Sequence, residues 1–158
     1  VYLSDGGHFE NLAVYELLRR RCRFIMVLDG EQDGDFAFGG LGGLIRKART
    51  DFQCEIDLDP EQIARRTPEG FSHSHCAVGK LRYCDTNEEG YLLYLKLSVT
   101  GDEDRDILQY RAEHPDFPHQ STGDQFFNES QFESYRRLGQ HVGEETLRHF
   151  HLEGVIDW

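Results

Sequence analysis

One short stretch of the sequence combines a carboxylate with glycines that let a substrate come close to it. Residues 4–11 read SDGGHFEN, in which Asp5 is followed at once by Gly6 and Gly7. A carboxylate can act as a general base, and glycines beside it permit close backbone approach and unusual dihedral angles. The pattern is suited to a catalytic loop. A plain turn in which Asp5 only caps the chain is the competing interpretation, and composition alone favours neither.

The residues on either side of this loop predict the elements that must position it. Residues 2–3 are expected to end a strand, and residues 9–21 carry apolar side chains at helical spacing. The run 24–28, FIMVL, lacks polar alternation, which is typical of a strand buried on both faces of a parallel sheet. Strand, loop, helix and strand in this order predict a right-handed βαβ unit. Asp5 and Asp29 would then share the sheet edge at which α/β proteins bind ligands.

The rest of the chain predicts a mixture of strands and helices. The patterns indicate a helix over about 40–50, a strand with one polar face over 52–59, a short helix after Asp59, an antiparallel hairpin of 75–83 and 91–99, a helix from Asp102 or Asp104 to about Glu113, and one or two helices within 122–150. Ser130 fits the N-cap of the last helical segment, as the start of a capping box with Glu133.

These elements predict a single α/β domain over residues 1–158. We expect a mostly parallel sheet with an added antiparallel hairpin and C-terminal helices. Residues 1–50 would hold the βαβ core and the loop, residues 51–100 the strand and hairpin, and residues 101–158 a helical closing segment. Val1 opens directly into a strand-like run and the only methionine is Met26, so we expect the chain to be part of a longer polypeptide.

Composition excludes some classes of partner. The net charge of −12 opposes a broad field attractive to nucleic-acid phosphates, so no nucleic acid is expected. The longest purely apolar run, residues 24–28, is too short for a transmembrane helix. The four cysteines match no zinc-ribbon or finger spacing and are expected to be reduced cytosolic thiols.

Two other groups of residues invite a metal interpretation. The first is a set of soft ligands within one segment: His73, His75, Cys76 and Cys84. Its spacing matches no known site, so ordinary histidines and a small buried cysteine are favoured. The second is the acidic segment 29–35, DGEQDGD, which begins like a calcium-binding loop. Gly40 stands at its twelfth position, where a bidentate glutamate is required. We therefore expect no metal and no cofactor.

A hydrolase site also requires a nucleophile, and the sequence contains no recognisable motif for one. No Gly-x-Ser-x-Gly elbow occurs in the 158 residues. The cysteines fall mostly in or before predicted strands, which disfavours a thiolate nucleophile with a depressed pKa beside a histidine. A hydrolase built wholly within this chain is therefore not expected.

The residues around Asp5 carry a resemblance to a known family. The block YLSDGG of residues 2–7, followed by a helix and the strand 24–28, resembles the Asp-Gly-Gly/Ala block of the patatin-like phospholipases. With Asn11 six positions after the aspartate, it is also similar to the catalytic domains of the large cytosolic phospholipases. The segment 114–127, HPDFPHQSTGDQFF, resembles part of long bacterial members of the group.

The resemblance implies a partial patatin-like fold and a serine acyl hydrolase that acts on a lipid or another acyl ester. In that family the equivalent of Asp5 is the second member of a Ser-Asp dyad. Asp5 would accept the serine proton, Gly6 and Gly7 would shape the loop, and Asn11 would brace it. The serine and the oxyanion donors would come from the N-terminal half of the same polypeptide, so the isolated chain is expected to be inactive. A cytoplasmic protein, or one peripheral to the cytoplasmic side of a membrane, is expected.

Two other functions stay open on the sequence. The chain could be a non-catalytic α/β module for regulation or assembly, with a metal in the segment 73–84 or in the acidic loop 29–35. A flavodoxin-like nucleotide binder that uses the Asp-Gly-Gly loop for phosphate is disfavoured, because the carboxylate of Asp5 would repel the ligand.

Overall fold

A four-stranded mixed sheet with the strand order β1-β4-β3-β2 forms the centre of the protein. The structure is a computed structural model and describes residues 1–150. The strands are β1 (Phe24–Asp29), β2 (Cys54–Asp57), β3 (Cys76–Tyr83) and β4 (Glu88–Lys96). β1 pairs with β4 in parallel, whereas the β4–β3 and β3–β2 pairs are antiparallel. The protein is therefore of the mixed α/β class.

Helices cover both faces of this sheet. They are α1 (Tyr15–Arg19), α2 (Gly39–Phe52), α3 (Glu61–Ala64), α4 (Arg105–Glu113) and α5 (Glu129–His149), and a short 3₁₀ turn spans Gly6–His8. Side chains of a strand alternate between the two faces. Leu92 and Tyr94 of β4 accordingly join the apolar cluster that contains Leu44 of α2, while Leu93 of β4 joins the cluster that contains Leu138 of α5. No helix within residues 1–150 has the length and apolar character needed to cross a membrane.

The expectation of a mostly parallel sheet is wrong. The hairpin of β3 and β4 lies in the middle of the sheet, with β2 along one side and β1 along the other. Only the β1–β4 pair is parallel, since each further neighbour is antiparallel. The hairpin is thus the centre of the sheet and not an addition at its margin. The alternation of apolar residues along a strand indicates which side chains are buried, but it does not indicate which strand lies beside it.

The predicted first strand and the βαβ unit are not formed by the described residues. Residues 1–5 are exposed and unpaired, so β1 is the first strand and an edge strand within residues 1–150. Its burial alternates as well: Ile25 and Val27 are buried, while Leu28 is 75% exposed. The prediction of a strand buried on both faces is therefore wrong, because an apolar run at a sheet edge with only one covered face shows the same composition.

The helix predicted over residues 9–21 is shorter, because Glu10 folds back onto the chain. Its carboxylate accepts hydrogen bonds from the backbone N–H groups of Leu12, Val14 and Tyr15, at 2.6, 2.7 and 3.0 Å. Ala13 between them has a φ of 57°, which no α-helix contains. Residues 10–14 therefore form a capped turn, and the helix begins at Tyr15.

The remaining elements agree with the sequence patterns to within a few residues. The predicted helix over 40–50, the strand over 52–59, the short helix, the hairpin and the helix ending at Glu113 are all confirmed. The last segment forms one helix within the described residues, and it begins two residues earlier than predicted. The side chain of Asn128, not Ser130, accepts the N–H of Gln131 at 2.9 Å as the N-cap of α5.

Candidate functional site

The carboxylate of Asp5 is held at the start of the 3₁₀ turn and exposed to solvent. Asp5 has extended dihedral angles and caps the turn, its Oδ1 accepting the N–H of Gly7 at 2.9 Å. The other oxygen, Oδ2, has no hydrogen-bond partner within residues 1–150. One oxygen therefore fixes the side chain while the second remains available to accept a proton or a hydrogen bond.

The two glycines after Asp5 are not equivalent. A Cβ atom on Gly7 would lie 2.4 Å from Oδ1 of Asn11, which is closer than real Cβ contacts allow. A Cβ atom on Gly6 would have nothing within 4 Å. Gly7 is thus required by the packing of the loop itself, whereas no residue beyond its two chain neighbours lies close to Gly6.

Asn11 ties the Asp5 loop to the carboxyl end of β1. Its Nδ2 donates to Oε1 of Glu31 at 2.6 Å, and the N–H of Glu31 donates to Oδ1 of Asp29 at 2.8 Å. These two bonds link Asn11 to the end of β1 through side chains and not through a paired strand. The bracing role of Asn11 stays a prediction.

Glu31 is the residue of this assembly that sequence reasoning missed. It is 20 positions from Asn11, and it packs over Gly40 in the first turn of α2, where a Cβ atom would lie 1.9 Å from its Oε2. The glycines within residues 39–43 could have indicated this contact, because a glycine at the start of a helix often allows the close approach of another group.

Asp29 is buried and fully engaged, so it is not a second free carboxylate. The hydroxyl of Tyr94 donates to its Oδ2, and Nζ of Lys96 lies 3.0 Å from the same oxygen. Burial and the hydrogen bond to Asp29 raise the pKa of Tyr94, which keeps the phenol protonated as a donor. Asp29 was predicted to share an edge with Asp5 as part of a site. Its contacts make it a structural group that joins β1 to β4.

Asp33, in the acidic loop 29–35, accepts hydrogen bonds from the backbone that follows it. Its two oxygens accept the N–H groups of Ala37 and Phe38, each at 2.8 Å. Together with the contacts of Asp29 and Glu31, these bonds direct three of the four carboxylates of the loop to separate protein donors. Asp33 thereby caps the turn before α2.

A serine and a histidine lie next to Asp5. Oγ of Ser4 is 2.6 Å from Nδ1 of His8, and both side chains are exposed. A hydroxyl that is hydrogen-bonded to an imidazole can be activated as a nucleophile. Both side chains lie in an exposed surface loop, so solvent water reaches the pair.

The segment 73–84 does not assemble the four soft ligands that the sequence places there. His75 and Cys76 lie at the start of β3, and Cys84 follows its end, about 27 Å away at the rise of an extended strand. These residues therefore cannot share one metal ion. His75 instead turns inward and meets residues from the far end of the chain.

Comparison of the chain with protein-family models, with curated proteins and with solved structures gives no match in any of the three.

Proposed function

We propose that this chain supplies the catalytic aspartate of a patatin-like serine acyl hydrolase, with Asp5 as the base of a Ser-Asp dyad. The observation that supports the proposal is the state of the Asp5 carboxylate. One of its oxygens is anchored by the N–H of Gly7, and the other has no partner within residues 1–150. Among the carboxylates discussed above, those of Asp29 and Asp33 are committed to donors of their own fold.

The chemistry follows from that free oxygen. A serine hydroxyl attacks the ester carbonyl as Oδ2 of Asp5 takes its proton, and a tetrahedral oxyanion forms. Collapse of this intermediate breaks the bond to the alcohol, which leaves with the proton from Asp5. Water then attacks the acyl-enzyme and gives one proton to Asp5. Collapse of the second tetrahedral intermediate releases the carboxylic acid as Asp5 returns that proton to the serine oxygen.

The brace around the loop supports the same role. A dyad requires the base to stay within hydrogen-bond reach of the serine, and a misplacement of about 1 Å can cost roughly a hundredfold in rate. The Gly7–Asn11 contact and the Asn11–Glu31 hydrogen bond connect the turn to β1 and α2. These are the rigid elements on which a catalytic carboxylate is best placed.

The nucleophile and the oxyanion donors belong, in this proposal, to another part of the polypeptide. The 158 residues contain no Gly-x-Ser-x-Gly elbow. A lipid or another acyl ester is the proposed substrate, and the site of action is the cytoplasm or the cytoplasmic surface of a membrane. The partial patatin-like fold is proposed on the same ground, with strands from the rest of the polypeptide extending the sheet.

Asp5→Asn in the complete polypeptide tests the dyad. Asparagine keeps the Oδ1 acceptor for Gly7 but cannot take a proton, so the fold should be unchanged and ester hydrolysis should fall at least about a hundredfold. Rates are measured with a nitrophenyl ester and with phospholipid vesicles. Asp106→Asn, at an exposed position of α4, is the matched control and should retain the full rate. An Asp5→Asn enzyme with undiminished turnover would overturn the assignment.

The purified 158-residue chain provides the control for the position of the nucleophile. It should show no hydrolysis of the nitrophenyl ester above that of buffer. Hydrolysis that is lost in both Asp5→Asn and Ser4→Ala would instead place the nucleophile at Ser4. The proposal that the nucleophilic serine lies outside these 158 residues would then be wrong.

A further inference from the structure

Four side chains with metal-binding atoms meet on the side of the sheet that faces α5. They are His75 just before β3, Asp102 and Glu103 in the loop between β4 and α4, and His141 in α5. One potential ligand atom from each lies within 4.8 Å of those of the other three. The group therefore gathers two imidazoles and two carboxylates around one point.

The distances and the burial of these groups fit a coordination site. Nε2 of His75 is 3.9 Å from Oε1 of Glu103, and Nε2 of His141 is 3.3 Å from Oδ1 of Asp102. His75 is 6% exposed and Glu103 is 5% exposed. With neutral imidazoles the group carries two negative charges, that of the buried Glu103 and that of the exposed Asp102, which a divalent cation would neutralise.

Ser98 orients the imidazole of His75 from behind. Its Oγ is 3.0 Å from Nδ1, so Nε2 is turned toward the other three groups. Metal-binding histidines usually have such a partner on the second ring nitrogen, because it fixes the tautomer and the ring orientation.

Thr100 and Glu103 already make hydrogen bonds inside the cluster. Oγ1 of Thr100 lies 3.0 Å from Nε2 of His75, 2.5 Å from Oδ1 of Asp102 and 3.3 Å from Oε1 of Glu103, so metal binding requires this side chain to take another rotamer. Glu103 accepts the N–H groups of Thr100 and Gly101, at 2.7 and 2.8 Å. A carboxylate has about four lone-pair sites, so these bonds orient Glu103 without exhausting it.

A cavity beside the cluster contains an independent sign of a polar occupant. It has a volume of about 290 Å³, and His75, Asp102 and Thr146 contribute to its lining. Thr146 of α5 is 2% exposed, yet its Oγ1 has no hydrogen-bond partner within the described part of the chain. A buried polar atom without a partner is costly, and a water molecule in the cavity would supply one. The cavity also gives an ion a path from solvent.

We propose that His75, His141, Asp102 and Glu103 form a binding site for a divalent transition-metal ion, with Zn²⁺ as the preferred occupant. Imidazole and carboxylate ligands suit zinc, whereas calcium and magnesium select oxygen ligands alone. A zinc ion with four protein ligands has no open coordination position, which is typical of a structural site. The ion would fasten α5 to the start of β3 and to the loop before α4. The site uses none of the Asp5 loop and is independent of the proposed hydrolase activity.

Metal titration of the purified protein tests the site. After dialysis against a chelator, Zn²⁺ should bind at one equivalent by calorimetry and should raise the melting temperature by several degrees. Co²⁺ should give the visible absorption bands of a tetrahedral ion without a thiolate charge-transfer band. His141→Ala should weaken zinc binding at least tenfold. His149→Ala, on the same helix and lining the same cavity, is the matched control and should bind like the parent protein.

Several results would overturn the proposal. They are the absence of stoichiometric binding, equal stabilisation by Ca²⁺ or Mg²⁺, equal losses in His141→Ala and His149→Ala, and a thiolate band that assigns the metal to cysteine. Asp102→Asn is the second variant, because its side chain is 60% exposed and its replacement leaves the core intact. It should also weaken zinc binding, and an unchanged affinity in both variants would contradict the ligand set.

Discussion

At the scale of single residues, the Asp5 loop shows that neighbouring glycines can have different functions. Gly7 has no side chain because Asn11 occupies the space, and Asn11 in turn holds Glu31. No residue beyond its two chain neighbours lies close to Gly6. The sequence predicted that both glycines shape the loop. The structure gives a packing reason for Gly7, and the role of Gly6 beside a substrate stays a prediction.

Gly7→Ala should disturb the brace, while Gly6→Ala should not. The added methyl group of Gly7→Ala should displace the Asn11 side chain from Glu31, because its Cβ atom would lie 2.4 Å from Oδ1 of Asn11. We expect the side-chain amide signals of Asn11 to shift in nuclear magnetic resonance spectra, and ester hydrolysis by the complete polypeptide to fall at least about tenfold. Gly6→Ala should leave the Asn11 signals in place. Equal shifts in the two variants would show that the packing argument is wrong.

At the scale of elements, capping side chains decide where two of the helices, α1 and α5, begin. Glu10 holds three backbone N–H groups ahead of α1 and so shortens the helix that apolar spacing predicted. Asn128 caps α5, although Ser130 and Glu133 fit the capping-box pattern. Ser130 lies inside the helix, and its carbonyl oxygen accepts the hydroxyl of Ser134 at 2.7 Å. Several residues near a helix end have the right chemistry, and only the backbone path selects one.

Asn128→Ala should destabilise the protein, and Ser130→Ala should not. The first change leaves the N–H of Gln131 without its side-chain acceptor, and loss of an N-cap costs about 1 kcal/mol. Unfolding in urea measures this difference in free energy. The serine variant serves as the control at the alternative position. Destabilisation by Ser130→Ala alone would return the N-cap to the position predicted from the sequence.

At the scale of the whole molecule, β4 couples two apolar clusters through one strand. Leu92 and Tyr94 belong to the cluster under α2, and Leu93 and Leu95 belong to the cluster under α5. Because alternate residues of one strand enter both clusters, neither face of the sheet can lose its packing without affecting the other. We expect the described residues to unfold as one cooperative unit, in keeping with the prediction of a single domain.

Buried leucines on the two faces should therefore have the same global effect. Leu44→Ala in α2 and Leu138→Ala in α5 each truncate a fully buried side chain and should each cost about 2–5 kcal/mol. Hydrogen exchange should show that each change lowers the protection of amides in both helices. Leu28→Ala, at an exposed position of β1, should leave protection unchanged. If each variant affected only its own helix, the two faces would be separate folding units.

The sequence by itself determined the elements whose signal is local. The helical spacing of Leu41, Leu44 and Ala48 predicts α2, and the alternation from Cys54 to Asp57 predicts β2. Two runs rich in β-forming residues around a turn predict the hairpin. Each of these patterns depends on neighbours within a few positions, so the elements can be predicted from the sequence without knowledge of the tertiary structure. The residues of the Asp5 loop were identifiable for the same reason, because their types and spacing are contiguous.

Only the tertiary structure decided how these pieces meet. The pairing of β1 with β4, the hydrogen bond from Asn11 to Glu31, and the approach of His75 to His141 all join residues that are distant along the chain. No periodicity encodes such contacts, because each strand edge and each polar side chain has many possible partners of equal local quality. The choice among them is made by the packing of the whole domain, which buries Asp29 with Lys96 and leaves Oδ2 of Asp5 without a hydrogen-bond partner among residues 1–150.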